Sequence, residues 1–270
     1  MENNNNNNEL SQLIAKLDWQ LNMGAKAMVE EKLNNYSDIG NLKTNKEDFS
    51  KLEIPQKIDT PYLQEEESNE DKILQQSIDK CITLEELKNH MLDFNGCDLK
   101  KTATQLVFSD GNPSSNIMVI GEAPGAEEDR QGKPFCGASG KLLDKMLASI
   151  NLDRSTVYIT NVIPWRPPGN RTPTENEIRL MKPFLMRHIE LVAPKILLAV
   201  GGSASKAILD IEGGILRHRG VWKDIRLSNS LRIPTMATLH PAYLLRAPNQ
   251  KKLAWEDLKS IRSKLEKLND

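Results

Sequence analysis

Short apolar runs alternate with helical patterns of apolar residues over positions 77–270. Runs of four to seven mainly apolar residues are typical of strands that are buried on both faces of a parallel sheet. Four of them predict the core strands: 117–120, 157–163, 195–200 and 233–239. Apolar residues spaced three or four positions apart predict helices over 141–150, between Thr174 and Pro194, over 204–209 and over 254–265. The alternation predicts an α/β fold, a three-layer α/β/α sandwich with a four-stranded, mainly parallel sheet.

Polar residues mark where two of the helices begin. The spacing of a capping box occurs twice: Thr83 with Glu86, and Thr174 with Glu177. The first box predicts a helix that ends at Asn95-Gly96. We expect loops and short extended pieces over 97–116, and a further strand over 221–227 that forms a hairpin or an excursion from the sheet.

Residues 1–76 predict an extension that precedes the compact domain. The asparagine tract over 3–8 has no apolar surface to bury and is predicted to be disordered. Leucines and isoleucines at helical spacing predict one helix over 9–33, and the polar, acidic segment 34–72 is interpreted as a linker. The sequence therefore predicts a helical and partly disordered extension over 1–76 and a domain over 77–270.

Composition narrows the cellular context. No apolar run approaches 18 residues, so no membrane span or membrane partner is expected. The amino terminus lacks the basic start and apolar core of a secretory signal. The three cysteines form no CxxC pair, which argues against a disulfide framework. We expect a monomer in a reducing cytoplasm.

The net charge of −1 conceals two oppositely charged parts. Residues 1–76 carry 15 acidic and 8 basic side chains, a net of −7. Residues 77–270 carry the other 22 acidic and 28 basic side chains, a net of +6. A basic domain is compatible with a polyanion such as nucleic acid, although solvated lysines explain most excesses of this size.

One loop after the first core strand combines acids, prolines and glycines: VIGEAPGAEEDRQGKPFCGASG, over 119–140. Glu122 follows the strand directly, and Gly121 and Gly125 are expected to hold the backbone around its carboxylate in a fixed turn. Ser139 lies at the start of the next helix, where free N–H groups and the helix dipole favour an anion such as phosphate. An ordinary surface loop with a glycine-rich helix start is the alternative interpretation.

Polar side chains also stand at the ends of two other predicted strands. Asn161 lies near the end of the second strand, and His240 directly follows the fourth. Carboxyl ends of parallel strands meet at one edge of a sheet, where ligands bind, so Glu122, Asn161 and His240 are expected to converge. Each alone is more often a hydrogen-bonded structural residue, but three together indicate a site. The helix start at Gly202-Ser203 is a second candidate phosphate seat.

Four segments resemble motifs of family 4 uracil-DNA glycosylases: GEAPGAEEDRQGKPFCGASGKLLD, YITNVIPWRPPGNRTPTENE, LAVGGSASKAIL and LHPAYLLR. They follow the family's order over about 93–259, and residues 1–76 lie outside the resemblance. The resemblance implies a DNA repair enzyme of base excision repair. It would flip uracil out of DNA and hydrolyse the N-glycosidic bond, leaving an abasic site.

The resemblance also implies a role for each matching residue. It makes Glu122 the catalytic acidic residue and His240 the group that stabilises departing uracil, and it includes Glu128 as a third catalytic position that helps to place water or the loop. Phe135 would stack on uracil and Asn161 would read its pairing edge, in a uracil site completed by Gly121 and Ala123. Contacts to DNA are implied for two phosphate-binding serines and a wedge that enters the duplex: Ser139, Ser203, Leu244, Leu245 and Arg246.

The chain departs from the family at its cofactor. The family holds a four-iron, four-sulfur cluster with four thiolates, and the corresponding positions here are Phe94, Cys97, Trp165 and Met181. Only one of the four ligands is retained, and Cys81 and Cys136 have the wrong spacing to replace the others. We therefore predict no cofactor, with the three apolar side chains packed into the space of the cluster.

Two other functions stay open on the sequence. One is a catalytically inactive DNA-binding module of the same fold in a repair complex, which loss of Glu122 or His240 would have favoured. The other is a nucleotide-binding enzyme that acts on a small molecule, but the chain has no GxGxxG or Walker lysine motif.

Overall fold

The computed structural model describes residues 69–228 and 231–269. The predicted asparagine tract, the helix predicted over 9–33 and the predicted linker up to residue 68 lie outside these residues. The described helices are α1 (Asn69–Asp79), α2 (Leu84–Asp93), α3 (Leu99–Thr102), α4 (Ala126–Gln131), α5 (Ala138–Ala148), α6 (Glu175–Val192), α7 (Gly202–Leu209), α8 (Ile215–His218), α9 (Pro241–Arg246) and α10 (Lys251–Asn269). The strands are β1 (Asp110–Gly111), β2 (Ile117–Gly121), β3 (Tyr158–Asn161), β4 (Ile196–Val200), β5 (Trp222–Arg226) and β6 (Arg232–Thr238).

The strands form one six-stranded sheet in the order β1-β3-β2-β4-β6-β5. Its four central strands are parallel neighbours and correspond to the four predicted core strands. The prediction of a four-stranded sheet is corrected by the two edges, where β1 pairs antiparallel with β3 and β5 pairs antiparallel with β6. Strand β1 has two residues, too few to leave a periodic signal. Strand β5 is the predicted hairpin strand, and it joins the sheet instead of leaving it.

Alternate residues of β2 face two separate hydrophobic cores. Met118 and Ile120 belong to the core that packs against α1, α2, α6 and α7. Ile117 and Val119 belong to the core that packs against α5, α9 and α10. All four side chains are at most 1% exposed, and burial of each contributes about 1.5–3 kcal/mol. Helices on both faces of the sheet confirm the predicted three-layer sandwich.

Both predicted capping boxes are present. The hydroxyl of Thr83 accepts a hydrogen bond from the Glu86 amide at 3.1 Å, and the Glu86 carboxylate accepts one from the Thr83 amide at 3.2 Å. The corresponding distances for Thr174 and Glu177 are 3.2 and 2.7 Å. Caps of this kind contribute about 0.5–2 kcal/mol each. They fix the starts of α2 and α6 where the sequence predicts them.

Helix α1 continues across the predicted domain boundary at residue 77. Its residue Ile78 is fully buried, and Asp71 forms an ion pair at 3.3 Å with Arg179 of α6. Residues 69–72, which the sequence suggested were linker, are therefore helical. The boundary itself stays a prediction, because the residues before 69 lie outside the description. Among the described helices, none has the length and apolar character needed to cross a membrane.

A polar pair lies inside the first core, where the apolar pattern predicts no polar group. His188 of α6 is 2% exposed, and its Nε2 lies 2.8 Å from the hydroxyl of Tyr158 in β3. The imidazole also stacks on Phe108, with 4.4 Å between ring centroids. Burial lowers the pKa of His188 to about 3, and burial raises the pKa of Tyr158 to about 12.

Candidate active site

Three parallel strands end at one edge of the sheet and deliver polar side chains there. Strand β2 ends at Gly121, directly before Glu122; β3 ends at Asn161; and His240 follows β6 by two residues. The side chains of Glu122, Asn161 and His240 line one pocket of about 510 Å³, which we call the strand-end pocket. The convergence that the sequence predicts is therefore present, at the position where open α/β sheets bind ligands.

The other predicted site residues divide into two groups. Those that line the strand-end pocket are Ala123, Glu128, Phe135, Ser139 and Arg246. Those that do not line it are Gly121, Ser203, Leu244 and Leu245.

Gly121 lies beneath the pocket and permits a close approach of two side chains. It stands directly opposite Asn161 in the register of β2 and β3. A Cβ atom at this position would lie 2.6 Å from the ring of Phe135 and would overlap the side-chain oxygen of Asn161. Any larger residue would therefore displace both side chains from the pocket wall.

Phe135 is held in an unusual backbone conformation. Its φ is 53°, in the left-handed region, although it is not a glycine. Such a conformation costs about 1–3 kcal/mol and persists only where the surrounding structure enforces it. The ring is 5% exposed and stacks on the His240 imidazole with 5.6 Å between centroids. One wall of the pocket is thus a flat aromatic surface.

His240 presents a hydrogen-bond donor to the pocket because its other ring nitrogen is already used. It is the N-cap of α9, and its Nδ1 accepts a hydrogen bond from the Ala242 amide at 3.1 Å. An Nδ1 that accepts carries no proton, so the neutral ring carries its proton on Nε2. Burial, helped by the charge of Arg246, lowers the pKa of His240 to about 4. At neutral pH the side chain is therefore a neutral Nε2–H donor.

Glu122 and Asn161 both present unpaired polar groups to the pocket. Glu122 is half-buried, and the hydrogen bond from the Ile163 amide to its carbonyl, at 3.0 Å, fixes its backbone. Asn161 is 6% exposed. Within the described residues, no hydrogen bond or ion pair occupies the carboxylate of Glu122 or the side-chain amide of Asn161. Both groups are free to contact a ligand.

Glu128 ties the two ends of the pocket loop together. One of its carboxylate oxygens accepts from the Gly125 amide at 3.1 Å, and the other accepts from the Gly137 amide at 2.8 Å. Because backbone amides bind both of its carboxylate oxygens, Glu128 holds the two ends of the loop in place. Its catalytic role stays a prediction.

The two predicted phosphate seats lie at helix starts on opposite faces of the sheet, both near the edge where the parallel strands end. Ser139 is in the first turn of α5 and lines the pocket. Ser203 is in the first turn of α7, next to Gly201, where a Cβ atom would lie 3.0 Å from the Cβ of His240. The positive end of the α5 dipole is therefore at the pocket, whereas the residue before α7 contacts His240 in the pocket wall.

The predicted DNA wedge is corrected at one residue. Leu244 is fully buried in the second core, whereas Leu245 is 46% exposed and Arg246 is exposed at the pocket rim. A side chain that is buried in the core cannot enter a duplex in this conformation. Leu244 instead anchors α9 to the domain, and Leu245 and Arg246 remain available at the surface.

Several pocket residues have no assigned role in the sequence interpretation. Asn170 and Arg171 of the RPPGNR loop and Thr172 directly after it line the pocket, as does Tyr243 on α9. The guanidinium of Arg171 binds Glu177 at 2.6 and 2.9 Å, and this contact lowers the pKa of Glu177 to about 2. The prolines and glycine of the loop already indicated its position at this edge. Tyr243 could have been found from its place one helical turn after His240.

The positions that correspond to cluster ligands are filled by core side chains. Trp165 is 2% exposed and Met181 is 1% exposed, and both belong to the first core. Phe94 packs against the same core, with its ring centroid 5.1 Å from that of Phe184. Three of the four positions therefore hold apolar side chains packed in the core, and none of these can supply a thiolate to a cluster.

The remaining thiol does not compensate for this loss. Cys97 is 2% exposed, and burial raises the pKa of its thiol, whereas a metal ligand must be a thiolate. In the part of the chain that the structure describes, no three His, Cys, Asp or Glu side chains are grouped so that they could hold a metal ion. The residues present do not fit a four-thiolate cluster.

Comparison with known proteins agrees with this geometry. The family model for the uracil DNA glycosylase superfamily matches residues 108–259. A type-4 uracil-DNA glycosylase of Sulfurisphaera tokodaii is 40% identical over 188 residues, which are 67% of this chain and 84% of that protein. A type-4 uracil-DNA glycosylase of Archaeoglobus fulgidus is 39% identical over 184 residues, 66% of this chain and 92% of that protein. With the strand-end pocket inside the matched residues, the chain belongs to the uracil-DNA glycosylase superfamily.

Proposed function

We propose that the protein is a DNA repair glycosylase that flips uracil out of DNA and hydrolyses the bond between uracil and deoxyribose. The observation that carries the proposal is the convergence of Glu122, Asn161 and His240 beside the ring of Phe135 in one pocket. Its volume of about 510 Å³ is within the usual range for small-ligand sites. Extrusion of the base is required because the reacting bond is not accessible inside a stacked duplex.

In this proposal, the ring of Phe135 and the side-chain amide of Asn161 recognise uracil. The ring of Phe135 stacks on the base, and the Asn161 amide donates and accepts hydrogen bonds at adjacent atoms of its pairing edge. The amino group of cytosine would bring a donor against a donor, which leaves buried polar groups unpaired. The site therefore selects uracil through a mismatch penalty on cytosine.

Hydrolysis in this proposal uses two side chains: one stabilises the positive charge that develops on the sugar, and the other stabilises the negative charge on the departing uracil. As the N1–C1′ bond breaks, the sugar gains positive charge, which the Glu122 carboxylate stabilises, and uracil leaves as an anion. The Nε2–H of His240 donates to the uracil oxygen that gains this negative charge. Water adds its oxygen to C1′ and releases a proton to solvent, and the uracil anion takes up a proton after departure.

Contacts to DNA follow from the helix starts and from α9. Ser139 and Ser203, with the amides of the first turns of α5 and α7, are suited to bind phosphates on either side of the extruded nucleotide. Leu245 would occupy the gap left in the stack, with Arg246 beside it. The predicted monomeric state and cytoplasmic location remain predictions.

Release of uracil is the direct test. The purified full-length protein, incubated with a uracil-containing oligonucleotide in the presence of a chelator, is expected to produce alkali-labile abasic sites. The same oligonucleotide with thymine in place of uracil is the control and should remain intact. Binding to DNA without release from either single- or double-stranded substrate would contradict the enzyme and favour the inactive DNA-binding module.

Absence of the iron-sulfur cluster is a separate prediction. The purified protein is expected to contain no stoichiometric iron and no visible absorbance, because three ligand positions are apolar and the fourth thiol is buried and protonated. Cys97→Ala should leave iron content and uracil release unchanged. Elemental analysis and absorbance spectra check both statements, and about four irons per chain would contradict the prediction.

A further inference from the structure

We propose that Arg154 is a positioning residue that holds the Phe135 ring in the orientation needed to stack on uracil. The inference rests on the proposed function, which gives Phe135 its role. Arg154 lies in the connection between α5 and β3 and does not line the strand-end pocket, so it acts through the backbone of the loop and not on the substrate.

The guanidinium of Arg154 is bound to the loop on one side. It donates to the carbonyl of Phe135 and to the carbonyl of Pro134, the latter at 3.2 Å. These two consecutive carbonyls belong to the segment in which Phe135 takes its left-handed conformation. The contact therefore fixes the peptide planes on both sides of the residue that carries the ring.

Two carboxylates hold the guanidinium on its other side. Asp110 of β1 accepts from Nη1 at 2.6 Å, and Asp144 of α5 accepts from Nε at 2.8 Å. Arg154 is 29% exposed, and the planar fork of a guanidinium has little freedom once its donors are engaged in this way. Strand β1 and helix α5 thus hold the Arg154 side chain in place, and Arg154 in turn holds the loop that carries Phe135.

The loop requires such a clamp because its conformation is not locally preferred. A left-handed φ at a phenylalanine is retained only where surrounding contacts enforce it. The Phe135 carbonyl also lies against the backbone of Gly140, where a Cβ atom would overlap it. Without the donors of Arg154, rotation of the peptide planes would relieve the left-handed conformation and turn the ring away from His240.

A purely structural ion-pair network is the competing explanation, and a double-mutant cycle separates the two. Phe135→Ala is expected to lower kcat/KM for uracil release about 5- to 150-fold, the range for loss of one base–aromatic stack. Arg154→Met should lower kcat/KM at least about 5-fold in the wild-type background and almost not at all in the Phe135→Ala background. Equal losses in both backgrounds would overturn the proposal.

The position of the ring has a readout that does not depend on activity. Because Phe135 stacks on His240, its ring current shifts the imidazole proton resonances of His240, one of only four histidines in the chain. Phe135→Ala defines the size of that shift, and Arg154→Met is expected to remove most of it. An unmoved His240 resonance in Arg154→Met would refute the proposal even if the wild-type protein released no uracil.

Two further variants control for charge and folding. Arg262→Met removes an exposed arginine that pairs with Glu266 of the same helix, and it should change neither kcat/KM nor the His240 resonance. Arg154→Lys keeps the charge but not the fork, so it should fold and show a smaller shift of the resonance than Arg154→Met. If Arg154→Met fails to fold, the test rests on Arg154→Lys. A wild-type His240 resonance and a wild-type kcat/KM in Arg154→Lys would then overturn the proposal.

Discussion

Replacement of Glu122 by glutamine is expected to lower the single-turnover rate of uracil release about 10²- to 10³-fold. Glutamine has nearly the same shape, but it has no charge to place near the sugar as positive charge develops there. Stability should change little, because the carboxylate forms no hydrogen bond or ion pair with the described residues and opens on the pocket. Single-turnover rates and thermal melts of the two proteins measure these effects.

Glu127→Gln is the matched control for this substitution. Glu127 lies on α4, in the same loop, but it does not line the pocket and pairs with Arg130 at 2.5 Å on the surface. Its loss should leave the rate within about twofold, because Glu127 does not reach the pocket and an exposed ion pair contributes little to stability. Near-normal turnover by Glu122→Gln would mean that another group stabilises the sugar cation.

Loss of the His240 donor is expected to lower the rate about 10²- to 10³-fold, the usual effect of removing one donor at a developing anion. Two variants separate this effect from the cap that His240 provides to α9. His240→Ala also removes the acceptor for the Ala242 amide and should lose about 0.5–2 kcal/mol of stability. His240→Asn keeps a capping oxygen, so its melting temperature should stay close to that of the wild type while its rate falls.

The pH dependence of the rate tests the protonation state of His240 independently. With the pKa of His240 at about 4, the imidazole stays neutral as pH falls from 8 to 5, and the rate should be insensitive to its titration there. Protonation at lower pH would place a proton on Nδ1 and break its hydrogen bond to Ala242. A rate that rises or falls with an apparent pKa near 6.5, and loses this feature in His240→Asn, would contradict a neutral donor.

The central strands could be predicted because burial on both faces leaves a signal within a few adjacent residues. The capping boxes at Thr83 and Thr174 are equally local, and so were found at the correct positions. The edge strand β1 consists of Asp110 and Gly111 and exists only through its pairing with β3. Its position depends on contacts between distant residues, and single-sequence periodicity contains no information about these.

The sequence predicts which side chains converge at the site, but it does not predict how they pack against one another. The sequence places Glu122, Asn161 and His240 at strand ends, and parallel topology then brings them together. It does not reveal that Gly121 must lack a side chain because Asn161 and Phe135 occupy the same space. This requirement appears only when the register of β2 and β3 and the path of the loop are known.

Two adjacent leucines also show what a sequence motif alone cannot predict. Leu244 and Leu245 have the same chemistry, and a motif cannot say which one faces the protein. Successive residues of a helix point about 100° apart, so the orientation of α9 decides. The N-cap contact of His240 and the second core fix that orientation, with Leu244 inward and Leu245 outward.

The buried pair of His188 and Tyr158 sets both ends of a plateau in folding stability through proton linkage. Between pH 6.5 and about 3, His188 is protonated in the unfolded chain but neutral in the folded protein. The free energy of unfolding therefore falls by about 1.4 kcal/mol for each pH unit of acidification in this interval. Above pH 10 the unfolded chain loses the Tyr158 proton, which the folded protein keeps until about pH 12, so alkali favours unfolding as well. Burial of the two side chains in the core thereby confines the full contribution of both groups to the interval between about pH 6.5 and 10.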